Sequence, residues 1–185
     1  MLPCDCGRER LTYMSIQGEI LDRVARQMLF PLIPKAAGAI IRRAMFVEER
    51  LWNALISPEG DVDWDDRIGR LRADLEVFVI EEYLDPKYLF LLYPAHDAVW
   101  EIRSVRDEPS IRVLGLFPEL DIFVSTNYAL REDLGGWQSR EWKLVKRAAK
   151  AAWRRLFDPY KPKLSTIPSD VFSGATNGNY YKARA

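Results

Sequence analysis

The chain has 185 residues, 48% hydrophobic and 12% aromatic, and its 27 basic and 27 acidic side chains leave no net charge. That length and apolar content fit one sizeable core with additions and exclude a disordered chain, while neutrality removes any global attraction for a polyanion. The balance is uneven, with twelve Asp and Glu against five Lys and Arg over 48–87, and nine Lys and Arg against Glu141 and Asp158 over 140–163.

Residues 1–14 read as a disordered terminus. Its lone C-x-C, Cys4 and Cys6, with His96 as the one histidine, falls short of the four ligands of a structural zinc, so no metal or cofactor is expected. No uninterrupted apolar run follows Arg8 and Arg10, and the most apolar stretch, 28–41, is broken by Pro31, Pro34 and Lys35. Neither a secretory signal nor a membrane span is expected, and the cytoplasm is the expected location.

Ser15 opens a predicted helix over 15–33, with Ile16, Ile20, Leu21, Val24 and Met28 at helical spacing. A second helix is predicted from 35 to 56, with Ile40, Ile41, Met45, Trp52 and Leu55 on its apolar faces; together these form a helical N-terminal extension over 15–57. After the turn residues 58–63, Asp63 is placed as the cap of a third helix, striped by Ile68, Leu71, Leu75, Phe78, Val79 and Tyr83 and ended by Asp85-Pro86. "KYLFLLY" (87–93) is either a strand or a final helical turn. Strands follow at about 98–105, 110–117 and 120–127, the first two joined by an Asp107-Glu108-Pro109 turn. Gly135-Gly136 is a joint, and Ser139 caps a helix on which Trp142, Val145, Ala149, Ala152 and Leu156 recur every three to four residues. Beyond Asp158 the text turns rich in Pro, Gly, Ser and Asn, and 158–185 reads as an extended or disordered tail.

The sequence lacks a phosphate-cradling glycine loop and a G-x-S-x-G turn. His96 reads as a solvated loop histidine, and the pairs Asp65-Asp66 and Glu81-Glu82 as helix-surface charges. The last helix is more informative. Arg140, Lys143, Arg147, Lys150 and Arg154 step by three and four along one side. Such a stripe either meets a phosphate backbone or an acidic partner, or is a solvated face neutralised by the acidic 48–87 region. Strand alternation places Glu101 with Arg103, and Arg112 with Leu114 and Leu116, so Arg112 opens an otherwise apolar face. Tyr128 and Arg131 are expected on a loop leading to the basic helix.

From about 64 to 157, "VWEIRSV", a turn, "IRVLGLF", "DIFVSTNYALRED" and "SREWKLVKRAAKAAWRRLF" occur in an order that resembles the RelE/ParE-like toxins of bacterial toxin–antitoxin systems. The resemblance implies an α+β fold over 58–157: N-terminal helices packed on a small three- to four-stranded antiparallel sheet, with a C-terminal basic helix. Typical members are much shorter, and 15–57 has no counterpart among them. For members that are metal-independent endoribonucleases, the resemblance implies that Arg112 contacts phosphate and Arg131 stabilises the transition state. The family's C-terminal tyrosine falls at Trp142, which cannot ionise, and Tyr128 is the nearest substitute. Arg103 and the stripe from Arg140 to Arg154 would bind RNA. The implied partners are RNA or the ribosome and an antitoxin protein. The alternative is a non-enzymatic protein-interaction module from a phage or other mobile element.

Overall fold

The structure, a computed structural model, describes residues 15–57, 60–104, 110–137 and 139–182. The expected 107–109 turn, Arg106, Pro58 and Glu59 of the 58–63 turn, residues 1–14 with both cysteines, and the last three residues lie outside it.

Ser15 caps α1 (Ile16–Ala25), its hydroxyl accepting from the Gly18 N–H at 3.2 Å. The expected helix stops early because Gln27 turns left-handed (φ 57°), and the chain enters strand β1 (Leu29–Pro31). The second predicted helix is largely absent. Gly38, at φ 76°, breaks the segment; Ile40 and Ile41 lie exposed in a loop, and Ala44–Glu48 forms strand β2. Burial alternates along β2 with Met45 and Val47 inward, so a two-residue period and a strand partner override the helix-forming residues around it. Only α2 (Glu49–Ile56) remains helical. Helix α3 (Val62–Ile80) is capped by Asp61 rather than Asp63, through the N–H groups of Asp63 and Trp64. It ends at Ile80, so Tyr83 falls outside its buried stripe and is exposed.

The ambiguous 87–93 run contains strand β3 (Leu89–Leu91), followed by β4 (Trp100–Arg103), β5 (Ile111–Glu119) and β6 (Ile122–Leu130), each antiparallel to the one before. Gly115 lets β5 and β6 close up, since a Cβ there would meet the Phe123 ring at 2.3 Å. The sheet has six strands in the order β1-β2-β6-β5-β4-β3 and is mixed, because β2 lies parallel to β6 with Ala44 opposite Ile122. The α+β class holds, but the small antiparallel sheet becomes a larger mixed one because the N-terminal segment supplies two strands.

Helices cover both faces. On one, Leu71, Leu75 and Phe78 of α3 and Leu51 of α2 pack on Met45, Val47, Trp100, Ile102, Phe117 and Phe123. On the other lie α1 and helix α4 (Arg140–Phe157), where Ile20, Trp142, Ala149, Trp153 and Leu156 meet Leu114, Leu116 and Val124.

The segment after Asp158, expected to be extended or disordered, is irregular but docked through 182. Val171, Phe172 and Tyr180 are buried, and the N–H groups of Leu84 and Leu91 donate to Gly174 O and Tyr180 O at 2.8 and 2.7 Å. Buried Arg43 donates to Phe78 O and Ser173 O, both at 2.7 Å, and to Glu81 O, binding α3, its exit loop and the tail together. Backbone partners and apolar anchors replace the periodicity that the segment lacks.

Candidate nucleic-acid interface

Period-two alternation turns Glu101 and Arg103 of β4, and Arg112 of β5, towards the face that carries α4, while Trp100, Ile102 and Val113 point into the opposite core. The register sets Arg103 directly across from Arg112, a like-charge pair that would repel if left alone. Glu101 resolves it, with Oε1 3.3 Å from Arg103 Nε and 3.2 Å from Arg112 Nε. The Arg103 guanidinium also lies 4.5 Å from the centre of the Phe90 ring.

Arg131 follows the end of β6 and donates from Nη1 to Gly135 O at 2.8 Å, which holds the glycine joint beneath α4. Arg103, Arg112 and Arg131 therefore line one cleft of about 410 Å³, together with Lys87, Glu101, Trp137 and Trp142. Tyr128 is elsewhere. It belongs to β6 rather than a loop, packs against the α2–α3 core and lies beneath Arg50, whose guanidinium is 4.6 Å from the ring centre. A tyrosine across the sheet cannot act on a ligand held by these arginines.

Ser139 caps α4 as expected, accepting from Trp142 N–H at 3.1 Å. Arg140, Lys143, Arg147 and Arg154 are exposed along its outer side. Lys150, half-buried, pairs with Asp97, and buried Lys146 donates to Tyr93 O. Burial pushes the Lys146 ammonium below its ordinary value, opposed by nearby Asp97. Between α4 and the loop at 93–97 runs a groove of about 330 Å³ that includes Tyr93, Lys143, Arg147 and Lys150. A neighbouring hollow of about 420 Å³ shares Asp97 and Lys150 with it and continues past exposed His96 to Arg154, Tyr160 and Lys161.

The acidic section does not screen this stripe. α3 packs on the opposite face of the sheet, and among the described residues of 48–87 only Glu48 pairs with α4, through Arg155 on the other flank of the helix. Burial raises the Glu48 carboxyl above its usual range, and Arg155 opposes that shift.

No family model, curated protein or solved structure matches this chain.

The site includes residues that sequence reasoning passed over. Lys87 and Trp137 reach the cleft only through tertiary packing. Glu101 was legible as a neighbour of Arg103, but its bridge to Arg112 depends on the cross-strand register. No helix among the described residues is long and apolar enough to cross a membrane, and none of their His, Cys, Asp or Glu groups clusters in threes as a metal site.

Proposed function

We propose that the protein binds RNA through the phosphate backbone, laid along the outer side of α4. One observation carries this reading: the stripe of Arg140, Lys143, Arg147 and Arg154 faces away from the acidic α3 layer, and among the described residues no carboxylate is in ion-pair contact with it, Glu141 beside Arg140 being the one acid on the helix itself. Tyr93, His96 and Tyr160 border the adjoining hollows and add rings on which unpaired bases can stack. The order of α2 and α3, four antiparallel strands and a basic closing helix also supports the RelE/ParE-like reading, as an analogy of fold.

The geometry favours binding over cleavage. Glu101 is the one carboxylate among the described residues that line the arginine cleft, and it already bridges two guanidinium groups, which leaves it poorly placed to take a proton from a ligand.

The test is binding of a single-stranded RNA by fluorescence anisotropy. Lys143→Glu with Arg147→Glu weakens it at least tenfold, while the matched double reversal on the α3 side, Lys35→Glu with Arg67→Glu, changes it less than twofold. Equal losses from both pairs would overturn the assignment. Induced expression in a bacterial host tests the toxin reading: growth arrest that disappears with Arg112→Ala plus Arg131→Ala supports it, and unimpeded growth removes it.

A further inference from the structure

We infer that the arginine cleft is a pocket for a nucleoside monophosphate, with the phosphate among the guanidinium groups and the base against Trp137. The inference takes the RNA-binding reading as the source of its ligand, either the phosphorylated end of a strand or a free nucleotide. The chemistry of the pocket stands on its own residues.

The cleft has two adjoining chambers that share Arg103 and Trp137. The larger, about 410 Å³, sets Lys87, Arg103, Arg112 and Arg131 against Glu101, the one carboxylate among the described residues that line it. A phosphate dianion suits that excess, because guanidinium groups offer paired N–H donors at the spacing of phosphate oxygens. Glu101 does not cancel the site. It sets the angle of Arg103 and Arg112 and leaves Lys87 and Arg131 facing the chamber without a carboxylate of the described residues in ion-pair contact.

A second observation points independently to a ligand. Trp142 borders the same chamber at 3% exposure, and its buried Nε1–H has no acceptor among the described residues. Buried donors are nearly always satisfied, and an anionic oxygen in this chamber would satisfy this one.

The smaller chamber, about 310 Å³, is bounded by Phe90, Arg103, Trp137 and Lys182. Both volumes fall within the range of about 300–1,000 Å³ typical of small-ligand pockets. Trp137 is 48% exposed although it is the largest apolar side chain type. It is held edge-on by Trp142 at 5.8 Å and Phe90 at 6.3 Å, so a broad ring surface stands fixed at the mouth. A rigid exposed indole beside a phosphate-sized cationic chamber is the arrangement that a base attached to a phosphate would fill.

The experiment uses the full chain, with tryptophan fluorescence and calorimetry as readouts. The probes are adenosine and uridine monophosphates, the parent nucleosides, inorganic phosphate, and oligoribonucleotides carrying 5′-phosphate, 3′-phosphate or only hydroxyl ends. Monophosphates are expected to quench fluorescence and to bind at least tenfold more tightly than the nucleosides or inorganic phosphate. Arg131→Gln should weaken the monophosphate by roughly ten- to a hundredfold. Trp137→Ala should abolish the quenching and the preference over inorganic phosphate. Both residues sit at the cleft rim, and Lys87→Glu provides a third variant should either melt early.

A preference for one phosphorylated end identifies a strand terminus as the source; monophosphate binding without that preference identifies free nucleotide, and both support the pocket. Monophosphates that bind no better than nucleosides, or rim variants that change nothing, overturn it. Lys143→Glu with Arg147→Glu separates the two readings: it should weaken binding of the hydroxyl-ended oligonucleotide at least tenfold and leave monophosphate affinity unchanged. Oligonucleotide binding that depends on the stripe, with no monophosphate binding, sinks the pocket alone. The reverse pattern sinks the stripe.

Discussion

Phe172 tests the architecture most directly, because it anchors a segment whose composition suggests no structure. Its ring is fully buried and meets Trp100 at 5.7 Å, Phe117 at 6.0 Å and Tyr180 at 5.6 Å. Phe172→Ala deletes a core ring that α3 and the sheet cannot collapse to replace, a loss of about 3–5 kcal/mol. For a chain of this size each kcal/mol lowers Tm by roughly 2–4 °C, so the variant should melt roughly 6–20 °C below the parent. Thermal unfolding followed by circular dichroism measures this, with Leu164→Ala as the control in the same segment. Leu164 is 59% exposed, and its truncation should shift Tm by no more than about 2 °C. A Phe172→Ala protein melting within that margin would refute the docked arrangement of the C-terminal segment.

Three further outcomes are expected. Single-stranded RNA affinity should fall with salt at a log–log slope near −2.8, about −0.7 for each of the four outward cations Arg140, Lys143, Arg147 and Arg154. Lys143→Ala with Arg147→Ala should flatten it to about −1.4, and an unchanged slope would contradict the placement of the strand. Because the Lys146 ammonium is held below its ordinary 10.5 in the fold, the unfolded chain binds more protons in the window up to that value, so stability rises with pH across it. Lys146→Met should remove that component of the rise in urea unfolding from neutral to alkaline pH; superimposable profiles would exclude Lys146 as its source. Gly174 sits at φ +76°, where a Cβ would meet Glu82 O at 2.0 Å, so Gly174→Ala should cost on the order of 2–4 kcal/mol in chemical denaturation.

Strands β4 to β6 were legible because alternating apolar residues and turn chemistry are local signals. β2 was not. Its five residues lie beside strong helix formers, and what makes them a strand is the ladder to residues 122–125, far along the chain. The same limit applies to the site. Alternation placed Glu101 with Arg103 within one strand, but only the fold shows that Arg112 and Arg131 join them and that Tyr128 points through the other side. In the tail, Val171, Phe172 and Tyr180 are too few and too irregularly spaced to register as a pattern. The carbonyls of Glu81 and Ser173 that Arg43 gathers leave no trace in composition.

The parallel seam between β2 and β6 imposes an order on biogenesis. Ala44 emerges during synthesis long before its partner Ile122. At about 5–20 residues per second, the interval is on the order of 4–16 s. During that interval β2 has only β1 to pair with, so closure of the central layer waits until the β5–β6 hairpin is complete.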